Sequence, residues 1–174
     1  MMFHIQDFYR NEMWRHGLGK RSFNLDTRPD GELVIHDVVG ESDWQDYRKS
    51  DGERIKKDCV PVLMQKGILL HQETVMIFTN LVKAVPLITD SEYGRISLGK
   101  HNSIFIGGIA HELGHALGLP HCRGNGDEIS DGTALISTGN HTYFEELRNE
   151  GAGTFLSRAH ALRLASHPQF SNSI

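Results

Sequence analysis

Along the chain, apolar positions at helical spacing alternate with short strand-like runs, and glycine or proline separates them. Ile5, Phe8, Tyr9 and Met13 form a stripe that predicts a helix over about His4 to His16, closed by Gly17 and Gly19. Asp7, Glu12 and His16 are then expected on its solvated face. Phe23 and Leu25 alternate within Ser22 to Asp26, Arg28-Pro29-Asp30-Gly31 is a turn signal, and Leu33 to Val39 is again strand-like, which together predict a hairpin. A lone histidine there, His36, reads as a hydrogen-bonded strand residue. Ser42 or Asp43 can cap a helix reaching about Lys66, with Ile55, Cys59, Val60, Leu63 and Met64 on its buried face. Gly52 and Pro61 leave room for two shorter helices instead. Gly67 stops that segment, and Val75 to Thr79 reads as a fully buried strand, giving a strand–helix–strand crossover with parallel pairing.

From Asn80 to Asn102 the pattern argues for loop, with a short strand over Arg95 to Leu98. Asn102 or Ser103 can cap the next helix, whose Ile106, Ile109, Ala110, Leu113, Ala116 and Leu117 can face a core. A polar loop, Cys122 to Asp131, leads to an apolar return at Gly132 to Ile136 and a turn at Ser137 to His141. Phe155 to Ser166 closes the chain as a helix, ended by Pro168.

Composition narrows this picture. A chain of 174 residues predicts one domain that can bury a core without cross-links. Its net charge of -4 gives no basic face for nucleic acid, and no apolar run approaches a membrane span. Met1 to Arg10 lacks the features of a signal peptide. The expectation is either a cytoplasmic protein or a domain of a longer precursor, in which case secreted or cell-envelope. The two cysteines, Cys59 and Cys122, permit one internal disulfide or two thiols.

Eleven histidines are many for this length, and three of them fall in one stretch. His111-Glu112-Leu113-Gly114-His115-Ala116-Leu117-Gly118-Leu119-Pro120-His121 fits H-E-x-x-H-x-x-G-x-x-H at every fixed position. Four residues apart on a helix, His111 and His115 point the same way and can hold one zinc ion. Glu112 sits on the next face, within reach of a water at that ion. Gly118 tolerates the left-handed conformation that ends a helix, so the chain can turn and bring His121 back as third ligand. Three histidines leave a fourth tetrahedral position open, the arrangement of a catalytic zinc. A rival scheme with Glu145 or Glu146 as third ligand leaves Gly118 and His121 unexplained.

These eleven residues resemble the zinc signature of the metzincins, a group of zinc peptidases. The resemblance implies an α+β, metzincin-like fold: a twisted mixed sheet, a backing helix at about 42–66, the active-site helix, and a small C-terminal subdomain with a closing helix. The whole of 1–174 would be a single metallopeptidase-like domain, with 1–118 as upper subdomain and 119–174 as lower. It further implies a zinc-dependent endopeptidase that hydrolyses peptide bonds, with His111, His115 and His121 as ligands of one catalytic zinc and Glu112 as general base. A peptide or protein would be the substrate. The chain departs from the family in three ways. No methionine follows Met76, so Ile136 would take the place of the methionine beneath the metal. The stretch 80–102 is short for the strands that carry the substrate-binding edge. Cys122 follows the third histidine, and Tyr143 does not match the spacing of the tyrosine that some members use as an extra ligand. The first two departures keep open a second reading, a zinc-stabilised binding module of the same fold with weak or no catalysis.

Overall fold

The computed structural model describes residues 1–49, 52–69, 73–78, 102–122, 132–143 and 153–171. The chain divides into two compact units: Met1–Leu25 with Leu98–Ile174, and Asp26–Ser97. Helices and a small sheet make up the mixed α+β architecture. No helix among the described residues is long and apolar enough to cross a membrane.

The first unit is built around α1 (Met2–Arg15) and α4 (Asn102–Ala116). Ile5, Phe8, Tyr9 and Met13 of α1 are buried, as their spacing predicts. The helix ends in a left-handed glycine: Gly17 has φ 73°, its N–H donates to the Trp14 carbonyl, and Leu18 N–H donates to Met13. Tyr9 lies at the centre of an aromatic cluster with Phe8, Phe23 and Phe170. Its hydroxyl donates to the Ala110 carbonyl at 2.8 Å, fixing α1 against α4. Burial pushes the ionisation of that hydroxyl far above the ordinary range, so it remains a donor. On α4, Ile109, Ala110, Leu113 and the following Leu117 are buried, Ile106 is half-buried, and Ala116 faces outward rather than into the core.

Beyond α4 the chain forms β1 (Thr133–Ala134), a tight turn at Leu135–Gly139, β2 (Thr154–Phe155), α5 (Arg158–Ala165) and α6 (Pro168–Ser171). β1 and β2 pair in parallel, Thr133 with Thr154 and Ala134 with Phe155. The closing helix therefore starts later than its apolar pattern predicts. Phe155 is spent on the strand, and Ser157 caps the helix by accepting from His160 N–H. Pro168 opens a further short helix rather than simply ending one.

The second unit holds α2 (Trp44–Lys49) and α3 (Glu53–Gln65), so the segment predicted over 42–66 is two helices. Gly52, left-handed at φ 84°, stands immediately before α3. Cys59 and Leu63 are buried, whereas Met64, expected on the same face, is 62 % exposed. The predicted hairpin shrinks to one antiparallel bridge, Thr27 with Leu33, around a turn with Gly31 at φ 85°. The physical reason is that Ser22 and Phe23 are already bonded in the first unit. Ser22 Oγ donates to the Gln6 carbonyl, and Gln6 Nε2 donates to Phe23. Residues 75–78 form no strand, and Ile77 and Phe78 are exposed, which corrects the expectation of a buried strand there. The crossover that needed it is likewise not seen among the described residues. The short strand expected at Arg95 to Leu98 lies outside them.

Candidate metal centre

α4 carries His111 and His115 on one face, one turn apart, and ends just after them. Gly118 takes φ 80°, with its N–H donating to the His115 carbonyl at 2.8 Å and Leu119 N–H to Gly114 at 2.9 Å. The chain turns there because a left-handed residue closes the last helical carbonyls, the role expected of Gly118. Two residues after Leu119, His121 faces the helix pair. The three Nε2 atoms lie 3.0 Å (His111–His115), 3.0 Å (His115–His121) and 3.3 Å (His111–His121) from one another.

Protonation decides what this cluster can do. Nδ1–H of His111 donates to the Leu135 carbonyl at 2.6 Å, and Nδ1–H of His115 donates to the Leu119 carbonyl at 2.8 Å. A carbonyl can only accept, so both rings carry their proton on Nδ1 and turn an Nε2 lone pair inward when neutral. Their Nε2 atoms therefore cannot bridge to each other through a hydrogen bond; a cation at the centre satisfies all three. For zinc at about 2.0–2.1 Å from nitrogen, tetrahedral ligands stand about 3.3 Å apart, close to the observed spacing. The donor set thus fits a metal ion. Burial grades across it: His111 is buried, His115 half-buried and His121 exposed. Desolvation holds His111 below its ordinary value, against the smaller opposing effect of the Leu135 bond, and so favours the neutral, metal-binding form.

The turn at 135–139 packs against α4 and bonds to His111. Ile136 is fully buried, with φ −88° and ψ 27° outside the helical range. A Cβ on Gly114 would run into Cδ1 of Ile136 and come within 2.9 Å of the Tyr9 hydroxyl, so glycine there makes the space that Ile136 fills. The same turn reaches both ends of the motif: Leu135 accepts from His111, and Ile136 accepts from Cys122 N–H at 3.0 Å. Ile136 thus lies buried against the helix that carries two of the histidines.

Glu112 follows His111 on α4 and is half-buried. Tyr143 is a buried core residue, its ring 5.0 Å from Phe8 between centroids. No disulfide joins Cys59, which is buried, and Cys122, which is half-buried. Glu145 and Glu146, the rival third ligands, lie outside the described residues.

Three residues that the apolar pattern leaves out or places in solvent are buried or hydrogen-bonded within the first unit. Glu12 is 8 % exposed and accepts from Leu156 N–H at 2.6 Å, while His16 Nε2–H donates to the Leu156 carbonyl at 2.6 Å. His160 is buried on α5 and donates from Nε2 to the Pro120 carbonyl at 3.0 Å. The signal for each was helical phase. Glu12 is four residues after Phe8, His16 seven after Tyr9, and His160 midway between Leu156 and Leu164, all on the stripes the apolar residues define.

No protein-family model matches the chain, and comparison with curated proteins gives no match. Solved structures do match. Wild-type OgpA from Akkermansia muciniphila, in two crystal forms, superposes with a TM-score of 0.68 at 24% sequence identity, covering 99% of this chain and 55% of that one. Catalytically inactive OgpA in complex with an O-glycopeptide substrate, glycodrosocin, superposes with a TM-score of 0.61 at 24% identity, covering 92% of this chain and 51% of that one. The chain thus spans about half the length of the OgpA chains it matches. The likeness is one of fold, and with it the chain brings together three histidines in a group able to hold a metal ion.

Proposed function

We propose that this chain is a zinc-dependent metalloendopeptidase of metzincin-like fold, in which His111, His115 and His121 hold one catalytic zinc and Glu112 is the general base. The observation that carries this reading is the convergence of three Nε2 atoms at 3.0–3.3 Å, two of them in rings whose Nδ1 protons are committed to carbonyls. A zinc ion bound there supplies Lewis acidity, enough to bring the pKa of water down to about 7. The Glu112 carboxylate takes a proton from the attacking water and returns it to the amine nitrogen that leaves. Leu135 and Leu119, through their carbonyls, orient the two helix-borne rings and keep their ligating nitrogens unprotonated. Residues 1–174 act as one metallopeptidase-like domain, 1–118 its upper part and 119–174 its lower.

The fold likeness to OgpA makes O-glycosylated peptides the first substrates to try. The test is to incubate the zinc-loaded protein with matched peptides, with and without O-glycans, and to map new termini by mass spectrometry beside a Glu112→Ala control. New termini that depend on Glu112 support the reading. Tight zinc binding with no cleavage of any peptide would leave the binding module in its place.

A further inference from the structure

We propose that His160 is a positioning residue for the third metal ligand: by donating from Nε2 to the Pro120 carbonyl it sets the Pro120–His121 peptide and so aims the His121 ring. The inference rests on the three-histidine reading above and adds a residue to it. His111 and His115 each have a carbonyl that accepts from Nδ1 and fixes the ring. Among the described residues, no group accepts from Nδ1 of His121, and the side chain is exposed. Its direction therefore has to come from its backbone. That backbone is restrained on both sides. Behind it, Pro120 accepts from His160; ahead of it, Cys122 N–H donates to Ile136 at 3.0 Å. Pro120 itself, locked in φ and without an N–H, removes one freedom of the turn and leaves its carbonyl as the polar handle.

His160 is suited to the task. It is 5 % exposed, so its hydrogen bond is shielded from water. Its Nδ1 is buried without a partner, a cost that leucine in the same place would not incur. What the imidazole offers at this position is thus the single Nε2–H, aimed at Pro120. Its own helix is fixed in turn. Ser157 caps α5 by accepting from His160 N–H, and the backbone of the preceding Leu156 is held at its N–H by Glu12 of α1 and at its carbonyl by His16, which follows α1. A continuous set of bonds therefore runs from α1 through the start of α5 to the peptide that carries His121.

The experiment measures zinc and cobalt(II) affinity and the cobalt visible spectrum for the parent, His160→Leu, His160→Gln and His121→Ala, with metal-free melting curves beside them. In His160→Leu, which fills the space and cannot donate, affinity should fall by about 10–100-fold, the usual effect of losing a group behind a metal ligand. Its cobalt spectrum should change. His160→Gln, whose amide can reach the same carbonyl, should restore both. Should His160→Leu not fold, His160→Asn replaces it: its amide is too short to reach Pro120, so weaker binding than in His160→Gln is expected. Parent-like affinity and spectrum in His160→Leu, or equal affinity in the Gln and Asn variants, would overturn the positioning role. If the parent binds no metal, or His121→Ala binds as tightly as the parent, the three-histidine reading fails instead, and this inference with it.

Discussion

His111 and His115 hold their places through one helix and two carbonyls, whereas His121 depends on restraints placed on the backbone either side of it. The helix gives the first pair their shared face at no extra cost, because positions four apart point the same way. The loop half has no such rule. It needs Gly118 to end the helix, Pro120 to limit the turn, and two hydrogen bonds from distant parts of the chain. The three-histidine group therefore joins a locally encoded half to a half that exists only when the rest of the unit has folded. The turn at 135–139 serves both, since Leu135 accepts from His111 and Ile136 from Cys122.

The strongest way to break that comparison is to disrupt the shared turn. Ile136→Asp places a carboxylate in a fully buried position against α4, and the loss should be on the order of 4 kcal/mol or more, or failure to fold. Unchanged melting and full zinc content would show that the turn supports neither half. Removing the proposed base rather than the frame should separate chemistry from binding. Glu112→Ala should keep its zinc and lower hydrolysis by about 10²–10⁴-fold; equal turnover by parent and variant would remove Glu112 from the reaction.

Deleting one histidine from each half sharpens the contrast. His111→Ala and His121→Ala should both weaken metal binding, but their metal-free melts should differ. His111→Ala leaves the Leu135 carbonyl without its donor in a buried place and should cost about 1–3 kcal/mol. His121 is exposed, and its removal should leave the metal-free melt close to the parent's. Equal destabilisation by the two would erase the distinction.

Acid gives a graded version of the same test. Burial holds His111 and His160 below the ordinary histidine value of 6.5. Above that pH both are neutral whether folded or unfolded and contribute no pH dependence. Below it the unfolded chain takes up protons that the folded protein resists, so stability of the metal-free protein should fall as the pH drops from 6.5 toward the lowered folded values. Metal affinity should fall over the same range, because protons compete for the ligand nitrogens. Denaturant melts at several pH values check the first, and metal titrations the second; a metal-free stability flat down to pH 5 would count against buried neutral histidines. The smallest effect expected is that of Ile136→Met, an apolar exchange of similar volume, which should change stability by less than about 1.5 kcal/mol with zinc retained.

Sequence by itself determined the features that repeat on a fixed local period or rest on backbone chemistry. The buried stripe of α1, the glycine-ended turns after α1 and α4, and the shared face of His111 and His115 all follow from 3.6 residues per turn and from the left-handed freedom of Gly17 and Gly118. Had helical phase been applied to polar residues as strictly as to apolar ones, Glu12, His16 and His160 would have been legible too. Which group each would meet would not, because the Leu156 peptide is 144 residues from Glu12 and the Pro120 carbonyl 40 from His160. Tertiary structure alone decided that Ser22 and Phe23 bond to α1 rather than build a hairpin, that residues 75–78 stay out of a strand, and that Phe155 pairs with Ala134 instead of starting α5. Strand propensity is satisfied by whatever partner the fold supplies, since the backbone bonds that make a strand come from elsewhere in the chain. The third histidine belongs to both sides of that divide: its spacing is written in the motif, and its aim is set by bonds the motif does not contain.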